Sequence, residues 1–203
     1  MNFLTRNSDT EFHFMVDIET LAISSNAAIT EIGCFGKARD GNNWFFRIEC
    51  IDSTGEWSPH IFDWRLENHL PWATVSNSPD VVNCKEALLA FFEHIKFAAD
   101  GRTPILWCKG TDFDAVILTN AARRYEIADQ IPWKYNNIND VRTLLRLFPQ
   151  FKVPHDQVKH NGLEDAILQW TYLEKIADHV AQMEYQYDPR ISNTPQARAE
   201  RPE

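Results

Sequence analysis

The chain reads as an α/β protein built on a mixed central sheet, and three observations carry that reading. Residues 12–18, 28–36 and 44–51 are short apolar or alternating runs joined by short links, the pattern of an antiparallel meander. The hydrophobic period then changes to that of helices, starting at Ser58 and Pro59. A continuous apolar run at 103–108 (TPILWC) falls between two helical stretches and reads as a buried central strand. Antiparallel strands followed by helix–strand alternation predict a sheet that is antiparallel over its first three strands, then parallel, with helices flanking it.

Each element has a local reason. The Asp40-Gly41 pair in the 39–43 turn favours a tight hairpin between the second and third strands. Ser58 as N-cap with Pro59 at the first helical position opens a helix to about His69, with Ile61, Trp64 and Leu66 turned inward. Pro71 and Pro79 bracket a loop. Asn83 and Glu86 form a capping box before Ala87, Leu88, Phe91, Phe92 and Ile95, which fall at helical spacing. Lys109-Gly110-Thr111 is a turn, and Asp112 caps a helix to about Tyr125. Residues 133–137 suggest a short strand, Asp140 caps a helix reaching Leu147, and 149–159 form a polar loop. The last helix runs from Asn161 to about Tyr185. From Asp188 onward the composition is that of a disordered tail.

Composition bounds the function. A chain of 203 residues with seven Trp and thirteen Phe can bury one sizeable core, so a single domain is expected. A formal charge of -9 with no long basic run excludes a protein that grips nucleic acid by bulk charge alone. It leaves room for an enzyme that meets phosphates through metal ions held by acids. Cys34, Cys50, Cys84 and Cys108 are widely spread and read as buried thiols of a reducing cytosol. The N-terminus lacks the apolar core of a signal peptide, and no stretch approaches about 18 continuous apolar residues. A cytoplasmic protein with no membrane partner is expected.

The chemistry begins at the end of the first strand. Asp17 and Glu19 alternate with Val16 and Ile18, so both acids point the same way at the strand's C-terminal end. Alone, such a pair reads as a frayed strand end with two solvated carboxylates. Asp114 stands in the first turn of the helix after 103–108, where contact with the helix dipole alone would account for it. His160 precedes the last helix, and Asp165 lies about one turn inside it, next to apolar Ala166, Ile167 and Leu168. Glu164 points away and reads as solvated. Open sheets of this kind bind ligands beyond the C-terminal ends of their strands. Asp17, Glu19, Asp114 and Asp165 converging there would repel strongly, and hard divalent cations with oxygen ligands, Mg²⁺ or Mn²⁺, are the natural remedy.

Asp17-Ile18-Glu19-Thr20, Phe113-Asp114 and His160 five places before Asp165 resemble the DEDDh exonucleases of the ribonuclease H-like fold. The WCKG stretch at 107–110, followed by Phe113-Asp114, looks closest to a smaller branch. That branch holds phage exonucleases of the DexA type and bacterial 3′–5′ exoribonuclease-like domains. The resemblance spans residues 12–180 and implies a single exonuclease domain over 1–187, with 188–203 as its tail. Two positions depart from the pattern: Gly110 replaces a common Asn, and Gly162 replaces the usual Ala. Neither removes a ligand.

The resemblance also implies a mechanism. Asp17, Glu19 and Asp165 hold one of two metals, Asp17 bridges to the second with Asp114 beside it, and His160 is the general base. The product is a nucleoside 5′-monophosphate released from a 3′ end. Thr20 and Leu21 would contact the terminal nucleotide. From the residues themselves, Lys109 reads as a phosphate contact or a solvated turn lysine, and Trp64 and Trp72 as base-stacking rings or, for at least one of them, core packing. Arg142 and Arg146 read either as charge near Asp140 or as a solvated helix face. DNA is the favoured substrate by the likeness to the phage branch, RNA with 3′ overhangs the alternative, and a monomer or homodimer is expected. A non-catalytic binding module of the same fold would lack a ligand or the base, and all five are present.

Overall fold

A computed structural model describes residues 2–68, 81–152 and 160–187. Strands β1 (Glu11–Thr20), β2 (Ile29–Lys37) and β3 (Asn43–Ile51) form the expected meander. Helix α1 (Pro59–Glu67) follows, then the short strand β4 (Val82–Asn83) and helix α2 (Cys84–Ala99). Strand β5 (Thr103–Cys108), helix α3 (Asp114–Arg124), strand β6 (Ile138–Asp140), helix α4 (Val141–Leu147) and the long helix α5 (Gly162–Tyr187) complete the chain. The bracketed loop of Pro71 and Pro79, Trp72, most of the 149–159 loop and the tail from Asp188 lie outside the described residues.

The sheet has the order β4-β3-β2-β1-β5-β6. Strand β1 is antiparallel to β2 on one side and parallel to β5 on the other. The switch from antiparallel to parallel pairing thus falls at β1, which places a crevice beyond its C-terminal end.

Alternation along β1 serves two layers at once. Phe12, Phe14, Val16 and Ile18 enter a core with α2 and α3 that includes Leu88, Phe91, Phe92, Ile95, Ile117 and Leu118. Met15 faces the other way, into a core with α5 built on Trp170, Leu173 and Ile176. Asp17 and Glu19 share the parity of Met15, so they lie on the α5 side of the sheet. Burial of Phe12, Phe14, Phe91 and Phe92 is complete, and each contributes about 1.5–3 kcal/mol to holding β1 rigid. All four cysteines are free and buried.

Helix ends follow the sequence where a capping side chain decides them. Asn83 Oδ1 accepts from the Glu86 backbone N–H at 3.0 Å, and Asp140 Oδ1 accepts from that of Arg142 at 3.0 Å. Elsewhere the backbone overrides. Asp112 is exposed and caps nothing: Gly110, at φ +123°, starts a tight turn closed by the Phe113 N–H on the Gly110 carbonyl. The helix therefore opens at Asp114. Residues 133–137 form no strand, because Trp133 turns into the core against Phe14, Phe91 and Phe92 and Tyr135–Asn137 closes a 3₁₀ turn. The strand comes next, at Ile138–Asp140. In α1, Leu66 is exposed and the buried residue is Arg65.

The start of α5 is seated on the sheet by glycine. A Cβ at Gly33 would stand 1.9 Å from the carbonyl carbon of Gly162, and one at Gly162 would stand 2.8 Å from the Asp17 carbonyl oxygen. Glu31 Oε1 accepts from the Gly162 N–H at 2.8 Å, and Arg47 binds Glu31 through Nε and Nη2 at 3.1 and 2.9 Å. Gly33→Ala is expected to lose more than the roughly 1–3 kcal/mol of ordinary overpacking, because backbone must give way. Gly162→Ala should lose less. Urea unfolding of the two variants checks the order.

Candidate active site

One cleft, with a cavity volume of about 320 Å³, collects the acids. Asp17, Glu19, Asp114, His160 and Asp165 all line it. They come from four places in the chain: the end of β1, the first residue of α3, the loop two residues before α5, and the first turn of α5. Glu19, Asp114 and Asp165 are buried, and His160 is half-buried. Ligand atoms of Glu19, His160 and Asp165 lie within 4.8 Å of one another, close enough to hold one metal ion.

Each side chain is held. Asp114 Oδ1 accepts from the Ile18 backbone N–H at 3.2 Å, which ties the start of α3 to β1. Asp17 Oδ1 accepts from Gln169 Nε2 at 2.6 Å. Glu19 Oε2 accepts from Arg65 Nη1 at 2.6 Å. His160 stands at φ +50°, a left-handed backbone that turns the chain into α5, and its ring meets Trp64 edge-on with centroids 5.1 Å apart. Glu164 is exposed, as its position in the helix implies.

The electrostatics record the crowding. Burial, followed by the charges of Asp114 and Glu19, pushes the Asp17 carboxyl well above its usual range, while the Gln169 hydrogen bond opposes the rise. Burial pushes Asp114 up to about 7, against the Ile18 hydrogen bond and the Arg142 charge. Burial also raises Glu19, with Arg65 pulling it back. Carboxylate oxygens with one imidazole, charged only at a cost to the fold, are a donor set that fits a hard divalent cation.

The remaining expected positions divide. Thr20 and half-buried Lys109 line the cleft, although the Thr20 hydroxyl donates to the Ala22 carbonyl at 2.7 Å. Leu21 does not line it: its N–H donates to the Ala28 carbonyl and its carbonyl accepts from Ser58, so this residue joins the strand end to the next loop. The apolar wall is made instead by Ile23, 78 % exposed, with Ile61 and Trp64. Arg142 also lines the cleft, its Nη2 on the Lys109 carbonyl at 2.8 Å, whereas Arg146 is an exposed residue of α4.

Two buried partners escaped the sequence reading. Gln169 is four residues after Asp165, on the same face of α5, and that spacing is a usable signal. Arg65 lies four residues after Ile61, so helical spacing puts it on the inward face with Ile61 and Trp64, and only its charge makes it read as solvent-facing.

A six-stranded sheet of this order, with acids gathered at the end of β1, is the ribonuclease H-like fold of nucleases. Solved structures with that fold superpose on the chain. Exonuclease I of Methylocaldum szegediense matches with a TM-score of 0.56 and 13% identity, over 90% of this chain and 42% of the other. The zinc-bound E. coli Exonuclease I–ssDNA complex gives 0.53 and 13%, over 90% and 42%. Cell-death related nuclease 4 gives 0.51 and 9%, over 84% and 64%. The chain thus spans less than two thirds of the length of each. A comparison with curated protein sequences finds no match. Residues 12–177 match the 3′–5′ exoribonuclease Rv2179c-like domain, and the chain belongs to that family, among the DEDDh 3′–5′ exonucleases.

The raised carboxyls give a pH dependence. Asp17 and Asp114 bind protons more tightly folded than unfolded, so their contribution to stability is complete below the ordinary value of 3.8. For Asp114 it is lost as the pH rises through about 7. In chelator, the melting temperature should therefore fall from about pH 5 to about pH 8. Asp114→Asn should flatten that slope and melt higher than the parent at the upper pH. Thermal denaturation across the range checks both.

Proposed function

We propose that the chain hydrolyses phosphodiester bonds from the 3′ end of a nucleic-acid strand and releases nucleoside 5′-monophosphates. The observation that carries this is the convergence of Asp17, Glu19, Asp114, Asp165 and His160 on one cleft at the end of β1. Asp17, Glu19, Asp114 and Asp165 would hold two divalent cations, Mg²⁺ or Mn²⁺. When bound, such ions supply positive charge that makes water nucleophilic and stabilises the departing 3′ oxygen.

The chain's own residues do the rest. His160 takes the proton of the attacking water on a ring nitrogen, and its fixed place beside Glu19 and Asp165 sets where that water must lie. The Trp64 edge limits rotation of the ring. Gln169 orients the Asp17 carboxylate. Lys109 and Arg142, at the rim, meet phosphate oxygens. Ile23, Ile61 and Trp64 give the terminal nucleotide an apolar wall.

Two substrates have a specific observation behind them. The WCKG stretch at 107–110 favours DNA by its likeness to the phage branch. The description of the matched family, a 3′–5′ exoribonuclease domain, favours RNA. Sequence-matched DNA and RNA oligonucleotides, single- and double-stranded and labelled at the 3′ end, decide between them in Mg²⁺ or Mn²⁺. Asp17→Ala should abolish release of labelled mononucleotide while leaving the protein folded. His160→Ala should lower the rate at neutral pH by about 10²–10⁴-fold. Cleavage that survives Asp17→Ala, or that proceeds in chelator, overturns the reading.

A further inference from the structure

Arg65 is the residue of the cleft that its own helix does not explain. It is 3 % exposed, while its neighbour Leu66 is 45 % exposed. Its Nη1 donates to Glu19 Oε2, and its Nε is buried with no hydrogen-bond partner among the described residues. A buried guanidinium normally fills its donors, and one left over marks a group that awaits a partner. Glu19 meanwhile belongs to the cluster with His160 and Asp165. A carboxylate oxygen engaged by a guanidinium is not available to a metal ion on the same side.

Helix α1 is built to let this contact change. None of its residues belongs to either hydrophobic core. It reaches the site through Arg65 on Glu19, through Trp64 on His160, and through Ile61 at the cleft wall. The planar fork of arginine suits phosphate as well as it suits carboxylate.

We propose that Arg65 is a displaceable counter-cation: it neutralises Glu19 in the metal-free protein, releases it when a divalent ion binds, and turns to a phosphate of the bound strand. Metal loading and substrate capture are then coupled through one side chain. This rests on the reading of the acid cluster as a metal site. Arg65 is a positioning residue on the metal side and a contact residue on the substrate side.

Mn²⁺ binding, measured by calorimetry on the metal-free protein, separates the possibilities. Arg65→Gln removes the competing charge and should bind Mn²⁺ at least about tenfold more tightly. In Ca²⁺, with an oligonucleotide made uncleavable at its 3′ end, the same variant should bind the strand about tenfold more weakly. Unchanged or weaker Mn²⁺ binding overturns the displacement, and unchanged oligonucleotide binding overturns the turn to phosphate. Asp17→Asn is the control. Should it bind Mn²⁺ as the parent does, the metal-site reading falls and this inference with it; should it lose binding while Arg65→Gln gains none, only the inference falls. The unsubstituted protein gives an independent reading should Arg65→Gln not fold. The NMR signal of the Arg65 Nε–H must shift when Mg²⁺ is added, and a signal that stays in place overturns the proposal.

Discussion

The first turn of α5 lies backbone to backbone on the β1–β2 pair, and the site depends on that contact. With no side chain at Gly33 or Gly162, the helix start comes within van der Waals reach of the Asp17 carbonyl. Asp165 and Gln169 are then carried to the two acids of β1 on one helical face. Any side chain at Gly33 would push α5 outward and separate its acid from theirs. The hydrogen bond from Gly162 to Glu31, itself clamped by Arg47, fixes the same junction laterally. Sheet, helix and loop thus meet at a point where a displacement of a fraction of an ångström changes the distance between charges.

Bringing those charges together works against folding, and the rest of the structure offsets it. Burial holds Asp17 and Asp114 above their usual carboxyl range, with the charge of Asp114 adding to the rise of Asp17 and that of Glu19 adding to both. The offsets are local and unequal: Gln169 on Asp17, the Ile18 N–H on Asp114, and Arg65 on Glu19. The Arg65–Glu19 pair is buried on both sides, so removing either partner alone would cost about 3–5 kcal/mol, more than a single neutral hydrogen bond contributes. The apolar face of β1, packed on Phe91 and Phe92, absorbs this strain because it owes nothing to the charged face. One strand can therefore be a core element on one side and a charged platform on the other.

Much of this was legible in the sequence, for physical reasons that differ by element. The parity of Asp17 and Glu19 follows from the two-residue period of a strand, and the register shift in β1 falls only after Glu19, so it leaves the pair intact. The caps of Asn83 and Asp140 follow from side-chain chemistry within three residues. Asp112 looked like a cap by the same rule, and failed because Gly110 at positive φ used those residues for a turn. The strand expected at 133–137 lost to a contact distant in sequence, the burial of Trp133 among three phenylalanines. Leu21 is tied by its backbone to Ala28 and Ser58, and Ile23, two residues on, lines the cleft, a loop path that no local pattern reveals. Arg65 was legible in position, four residues after Ile61, but not in chemistry: its charge is accommodated by a carboxylate 46 residues away in sequence.

Gly110 and Gly162, the two positions that depart from the resembled motifs, have a common physical meaning. At Gly162 the absent methyl is what lets α5 approach the Asp17 carbonyl and the Gly33 N–H. At Gly110 a Cβ would stand 2.7 Å from Arg142 Nη2, so a larger residue there would displace the guanidinium that lines the cleft. Arg142 in turn donates to the Lys109 carbonyl and lowers the cost of charging Asp114. Replacing an asparagine by glycine thus exchanges a side-chain amide near the site for room that a cation fills. Both glycines remove atoms so that a charged group can come closer: an acid in one case, an arginine in the other. Both glycines stand beside the acid cluster, where they change the spacing of charge and leave its acids in place.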